Sequence, residues 1–151
     1  MNFILMRLSA FFAVIILVFW AGAVSSISFM EAWLKFQAPG VTLSIGLGIG
    51  MKVFRALNLL EWVLVFGYLL IVIQQFGDLN REVKLFSGVV ILVLILQTFV
   101  LLPVLSERAM AIIDGNSVSK SPVHLYYILL ELLKVFSLIM LAFKWRLLLQ
   151  R

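Results

Sequence analysis

The chain has 151 residues, of which 64% are hydrophobic and 13% charged, and its mean hydropathy is +1.18. Soluble domains carry about 45–50% apolar and about 25% charged residues, so there is too little polar surface here to cover a water-soluble globule. An ordinary soluble enzyme, a disordered tail and a nucleic-acid-binding module are excluded, and an integral membrane protein remains.

The net charge of +5 does not point to nucleic acid. Most Lys and Arg lie in short gaps between apolar runs, where they orient helices and meet lipid phosphate. The absence of cysteine excludes disulfides, thiolate chemistry and iron–sulfur ligation. A single histidine excludes a multi-His metal site within one chain.

A bilayer core takes about 20 apolar residues of helix. The first run, Leu8 to Met30, has 23 uncharged residues. Arg7, the apolar stretch to Trp20 and then Ala21-Gly22-Ala23 have the form of a signal peptide. The apolar run continues past Ala23, which favours a retained helix. Phe36-Gln37-Ala38-Pro39-Gly40 reads as a break, because Pro and Gly together punctuate helices. Beyond it, Gly46, Gly48 and Gly50 lie in an apolar stretch, and Lys52, Arg55 and Asn58 recur every third residue. That pattern predicts one long helix from about Ser44 to Phe76, its lead-in over 44–58 amphipathic and interfacial. A re-entrant segment is the alternative.

The third run, Leu85 to Ser106, has 22 uncharged residues, and Pro103 is expected to kink or end it. Ser106 to Ile113 extends that helix to a stop at Asp114-Gly115-Asn116. Ser121-Pro122 opens the fourth span, which reaches about Phe143 and is interrupted by Glu131 and Lys134. The expectation is therefore an all-α membrane domain over 1–151, with spans at about 8–31, 59–77, 85–106 and 122–143. The short links, such as Asp78 to Lys84, force antiparallel neighbours and an up-down-up-down four-helix bundle. Arg7, Arg81, Lys84, Lys144, Arg146 and Arg151 fall on one face, against Lys35, Lys52, Arg55, Arg108 and Lys120 on the other. The slight excess, with three basic residues near the C-terminus, places both termini on the cytoplasmic side of a bacterial inner membrane.

The second of these faces gathers the ionisable groups. Glu31, Glu61, Glu107, Asp114 and His124 accompany its basic residues, with Glu131 pointing inward from it. On the fourth span His124, Tyr127, Glu131 and Lys134 follow at spacings of three, four and three, so they share one stripe. Glu131 lies about 10.5 Å deeper than His124, and Lys134 about another 4.5 Å. Ionisable groups inside a span are costly unless paired and are functional candidates by default. Two readings stay open: a polar pocket or proton relay, or a Glu131–Lys134 pair that locks helix packing. Glu31 and Lys35 have the spacing of a surface pair. Glu61 could neutralise Arg55 or Arg108, or meet Glu131 across the bundle.

Other motifs fade on inspection. Converging carboxylates with a His suggest a di-metal bundle, yet the Glu-x-x-His pairs are missing. Gly46-Leu47-Gly48-Ile49-Gly50-Met51-Lys52 fits no phosphate-loop pattern. Gly46 with Gly50, and Gly22 with Ser26, suit close helix packing instead. Ser25, Ser26 and Ser28 have no base at a catalytic spacing and read as interhelical hydrogen-bonding groups. His124 with a Met could hold haem, but no second His is present. Trp20, Trp33, Trp62 and Trp145 read as interfacial anchors, a deeper position being the alternative for Trp20. No catalytic, cofactor or metal site is expected.

Three local features resemble the transmembrane protein 205-like family, a domain of unknown function also designated DUF4149. Phe19-Trp20-Ala21-Gly22 stands late in the first span, a Gly-containing segment leads into Lys52-Val53-Phe54, and His124 opens the last helix. Glu61 and Glu131 match no feature of that family. The resemblance implies a four-span layout over the whole chain and no particular activity.

The expected function is non-enzymatic: an accessory, assembly or partner-binding subunit of a membrane complex, with a protein partner or a second copy in the bilayer. A small-solute, ion or proton pathway along the His124 stripe is the second reading. A membrane enzyme acting on a lipid or quinone, with Glu61, His124 and Glu131 as acid/base groups, is the third.

Overall fold

The computed structural model describes residues 3–77 and 79–149. Asp78 and Arg151, counted above among the loop and terminal charges, lie outside them. The described residues form four long helices and no strands. Helix α1 runs Phe3–Ser25, widens into a π turn at Ser26–Glu31 and closes through Ala32–Leu34 and a 3-10 turn at Lys35–Gln37. Helix α2 is continuous over Leu43–Gln75. Helix α3 covers Arg81–Leu96, a π turn at Gln97–Leu101 and Leu102–Ile113. Helix α4 is Val123–Leu149. Each is long and apolar enough to cross a membrane.

The helix ends follow local chemistry. Thr42 accepts a hydrogen bond from the Ile45 amide (3.3 Å), and Asn80 from the Val83 amide (3.0 Å), each capping a start. Gly115, at φ +82°, closes α3 where the Asn116 amide reaches back to the Ala111 carbonyl (2.9 Å). Gly40, at φ +81°, makes the turn between α1 and α2. Pro103 does not end α3. Lacking an N–H, it cannot bond the Phe99 carbonyl, and the helix absorbs the defect by widening one turn upstream. The Leu102 amide there reaches the Gln97 carbonyl, five residues back.

The four helices alternate in direction, and α4 packs between α1 and α3 while α2 completes the ring against both. The α1–α4 seam is the most extensive. Its α1 side presents Ala10, Ala13, Leu17, Trp20, Ala21 and Val24, all buried and recurring every three to four residues apart from the adjacent pair Trp20–Ala21. Polarity is inverted relative to a soluble protein. Phe66, Ile73, Leu92, Phe99, Phe136 and Phe143 are exposed, whereas Glu61, Gln97, Glu131 and Lys134 are at most 1% exposed. That inversion suits a hydrocarbon solvent, and the chain is an integral membrane protein. Helix α2, about 50 Å long, exceeds a hydrocarbon core of about 30 Å.

Two packing expectations change. Gly46 and Gly50 do accept a close neighbour, but it is the end of α1: a Cβ would lie 2.1 Å from the Phe36 ring at Gly46 and 2.9 Å from Lys35 Nζ at Gly50. Gly22 and Ser26 are instead exposed, with nothing near Gly22, because the α1 seam runs along the opposite face. Nor do Ser25, Ser26 and Ser28 make interhelical side-chain bonds among the described residues; the Ser28 hydroxyl is buried without a partner.

Candidate functional site

At the midpoint of the bundle every helix contributes at least one buried polar group. Trp20 comes from α1, Glu61 from α2, Gln97 from α3, and Glu131 with Lys134 from α4. Lys134 Nζ is the hub. It lies 2.5 Å from Glu61 Oε1, donates to Gln97 Oε1 at 2.6 Å, and lies 3.3 Å from Glu131 Oε1. Trp20 Nε1 donates to the same Glu61 oxygen (2.9 Å), and Gln97 Nε2 donates to Glu131 Oε1 (3.1 Å). An ammonium has three N–H groups, and three acceptors surround this one. Two carboxyl groups share it, and Glu131 Oε2 is buried with no hydrogen-bond partner among the described residues.

Each placement has a local cause. The spacing of three between Glu131 and Lys134 puts both on the buried face of α4. The π turn that begins at Gln97 reorients the segment carrying its amide, so the Pro103 defect and the position of Gln97 belong together. Glu61 does not lie on the ionisable face. Helix α2 begins at Leu43, so Glu61 is eighteen residues in, about 27 Å along the axis. Its partners are Lys134 and Trp20, neither of which was assigned to it from the sequence. Arg55 stands exposed on α2, away from the carboxylates of this layer.

Above the layer, toward the ends of α1 and α3, lies a cavity of about 330 Å³ walled by all four helices. Lys35, Arg108 and His124 stand around it, while Leu47, Met51, Phe54, Leu102, Leu105 and Ile112 supply apolar walls. Gly46 and Gly50 also line it, which is where the Phe36 ring and Lys35 ammonium lie against α2. Tyr127 is buried and packs edge-on against Phe54, with centroids 5.5 Å apart, forming the floor. Glu31 pairs with Lys35 at 3.1 Å. Arg108 donates to the Ser119 carbonyl and has no acidic partner among the described residues.

The α4 stripe is thus divided by depth. His124 is exposed at the mouth, Tyr127 is the floor, and Glu131 and Lys134 lie beneath. Tyr127 stands one turn above Glu131 on α4. Neither Glu61 nor Glu131 lines the cavity that His124 borders.

On the other side of the polar layer the core is apolar. Leu17, Val65, Val90, Leu94, Leu138 and Leu141 are all at most 3% exposed. Beyond them a second buried set ties three helices: Tyr68 Oη and Ser87 Oγ share a hydrogen bond (2.8 Å), and Trp145 Nε1 donates to Tyr68 Oη (3.0 Å). Trp62 Nε1 and Asn58 Nδ2 both donate to Thr98 Oγ1, at 3.1 and 2.9 Å. Three of the four tryptophans therefore spend their indole N–H between helices. Only Trp33 stands exposed near a helix end, as an interfacial anchor would. Trp20 and Gln97 carry the site and were not singled out as polar candidates.

The chain matches no protein-family model, no curated protein and no solved structure, so this geometry alone bears on its function.

Proposed function

We propose that the protein is a non-enzymatic membrane subunit that receives a ligand or partner group at one membrane face, in a cavity held open by a fixed four-helix frame. The observation that carries this is the cavity itself. Its walls come from all four helices, and its floor rests on a polar layer that cross-links the same four helices. Such a layer fixes register and helix rotation, which keeps a cavity in one shape.

A proton or ion pathway along α4 has one observation in its favour, the unpartnered Glu131 Oε2. It also needs a continuation to the opposite face, and the Leu17–Val65–Val90–Leu94–Leu138–Leu141 layer interrupts that route. The enzymatic reading would need Glu61, His124 and Glu131 around common reactants, whereas they stand on opposite sides of the Tyr127 floor.

Reconstitution into liposomes containing a pH-sensitive dye tests the proposal. Proton leak under an imposed potential is expected to equal that of protein-free liposomes, for the wild type and for Glu131→Gln alike. A leak that Glu131→Gln removes would replace the binding reading with the pathway.

A further inference from the structure

The cavity has a chemistry of its own, and it narrows what could occupy it. At about 330 Å³ it falls at the small end of the range for ligand cavities, about 300–1,000 Å³. Its deep walls are Leu102, Leu105, Met51 and Phe54. From Leu102 to Arg108 the wall rises six residues, about 9 Å. The charged group that reaches into that depth is the Lys35 ammonium, which lies near the Phe54 ring and is paired with Glu31.

The cation without an acidic partner among the described residues is Arg108, at the top of that wall. Of the two cations lining the cavity, Lys35 is already neutralised by Glu31 and rests beside the Phe36 and Phe54 rings. Among the described residues Arg108 has only the Ser119 carbonyl, which occupies part of a five-donor guanidinium. The ionisable face as a whole is more basic than its sequence suggests, because Glu61 is withdrawn into the mid-membrane layer. Lys35, Lys52, Arg55, Arg108 and Lys120 there face only Glu31, Glu107 and Asp114. One uncompensated guanidinium above an apolar shaft matches a monoanion on one hydrocarbon chain. A planar fork pairs best with a carboxylate.

We infer that the cavity binds a medium-chain carboxylate, its head on Arg108 and His124 and its chain directed down to the Phe54–Tyr127 floor. This rests on the one-sided cavity proposed above and names its ligand class. A bare anion would leave the apolar shaft unused, and an uncharged chain would leave Arg108 uncompensated. Two-chain lipids exceed the volume.

The test is saturable binding of radiolabelled decanoate to the protein in phosphatidylcholine nanodiscs, after subtraction of protein-free nanodiscs. One equivalent is expected. Arg108→Gln should weaken it about tenfold or more, the range of a hydrogen bond to a charged group. Met51→Trp, which fills the shaft, should abolish it. Arg81→Gln, an exposed cation at the start of α3 on the other face, should leave it unchanged. Thermal unfolding of each variant checks that the fold survives.

Three results would overturn the inference: equal loss in Arg81→Gln, which indicates attraction to general surface charge; full binding to Met51→Trp, which places the ligand outside the shaft; or displacement by acetate at equal concentration, which indicates a bare-anion site. Absence of saturable binding would also overturn it. In that case, labelling of a cysteine placed at Ser106 on the cavity wall separates the two failures. A reactive cysteine leaves the cavity standing with the wrong ligand class, and an unreactive one removes both.

Discussion

Lys134 and Glu61, 2.5 Å apart, join the two helices that lie diagonally across the bundle. Helices α2 and α4 each pack on α1 and α3, so this pair spans the centre and holds helices that adjacent-helix packing would leave to their neighbours. Neither side chain is more than 1% exposed. Buried pairs of this kind are poor stabilisers compared with well-packed apolar residues, yet breaking one by removing a single partner is costly.

Lys134→Met is therefore expected to destabilise the protein by about 3–5 kcal/mol, because two carboxyl groups lose their shared cation. The combined Lys134→Met, Glu61→Gln and Glu131→Gln variant should recover much of that loss, since no unpaired charge remains. Reversible unfolding in bicelles measures both. A triple variant as unstable as the single one would show that Lys134 acts by packing rather than by charge.

Trp20→Phe keeps the ring in the α1 seam and removes one donor to Glu61. The expected cost is about 0.6–1.7 kcal/mol, the span found for interhelical hydrogen bonds in membranes. Tyr68→Phe should cost more than Trp20→Phe, because it strips partners from both Ser87 and Trp145. The same unfolding measurement ranks them.

The glycines give a graded series. Gly46→Ala must displace the Phe36 ring, Gly50→Ala meets only the end of the Lys35 side chain, and Gly22→Ala meets nothing within 4 Å among the described residues. Stability losses in the order Gly46, Gly50, Gly22 are expected, with Gly22→Ala neutral or slightly stabilising from its helix propensity. Equal effects at Gly46 and Gly22 would contradict the close approach of α1 to α2.

Much of this architecture is legible in the chain. Apolar runs separated by short charged links define four helices, and helical spacing alone puts Tyr127, Glu131 and Lys134 on one face of α4. What periodicity cannot supply is the relative register of separate helices. Glu61 lies one turn past Asn58 in a segment whose Lys52 and Arg55 suggest a membrane boundary. Those two cations are exposed on the outer face of α2, where long side chains can snorkel, so the boundary inferred from them displaces Glu61 toward the surface. Gln97 and Trp20 were hidden for a different reason. An uncharged amide or an indole hardly disturbs an apolar run, and its polar role emerges only when another helix brings it a partner. The Pro103 defect was visible, but its consequence, a widened turn rather than a break, depends on the neighbouring packing.

The interior opens to one face and closes at the polar layer. Because the chain has no cysteine, single cysteines report access without background. Ser106 lines the cavity, while Ser137 lies one turn past Lys134, 1% exposed. With membrane-impermeant thiol reagents on reconstituted protein, Ser106→Cys should react from the cavity face only and Ser137→Cys from neither. Labelling of Ser137→Cys from the opposite face, or an inert Ser106→Cys, would rule out a cavity that opens to one face and closes at the polar layer.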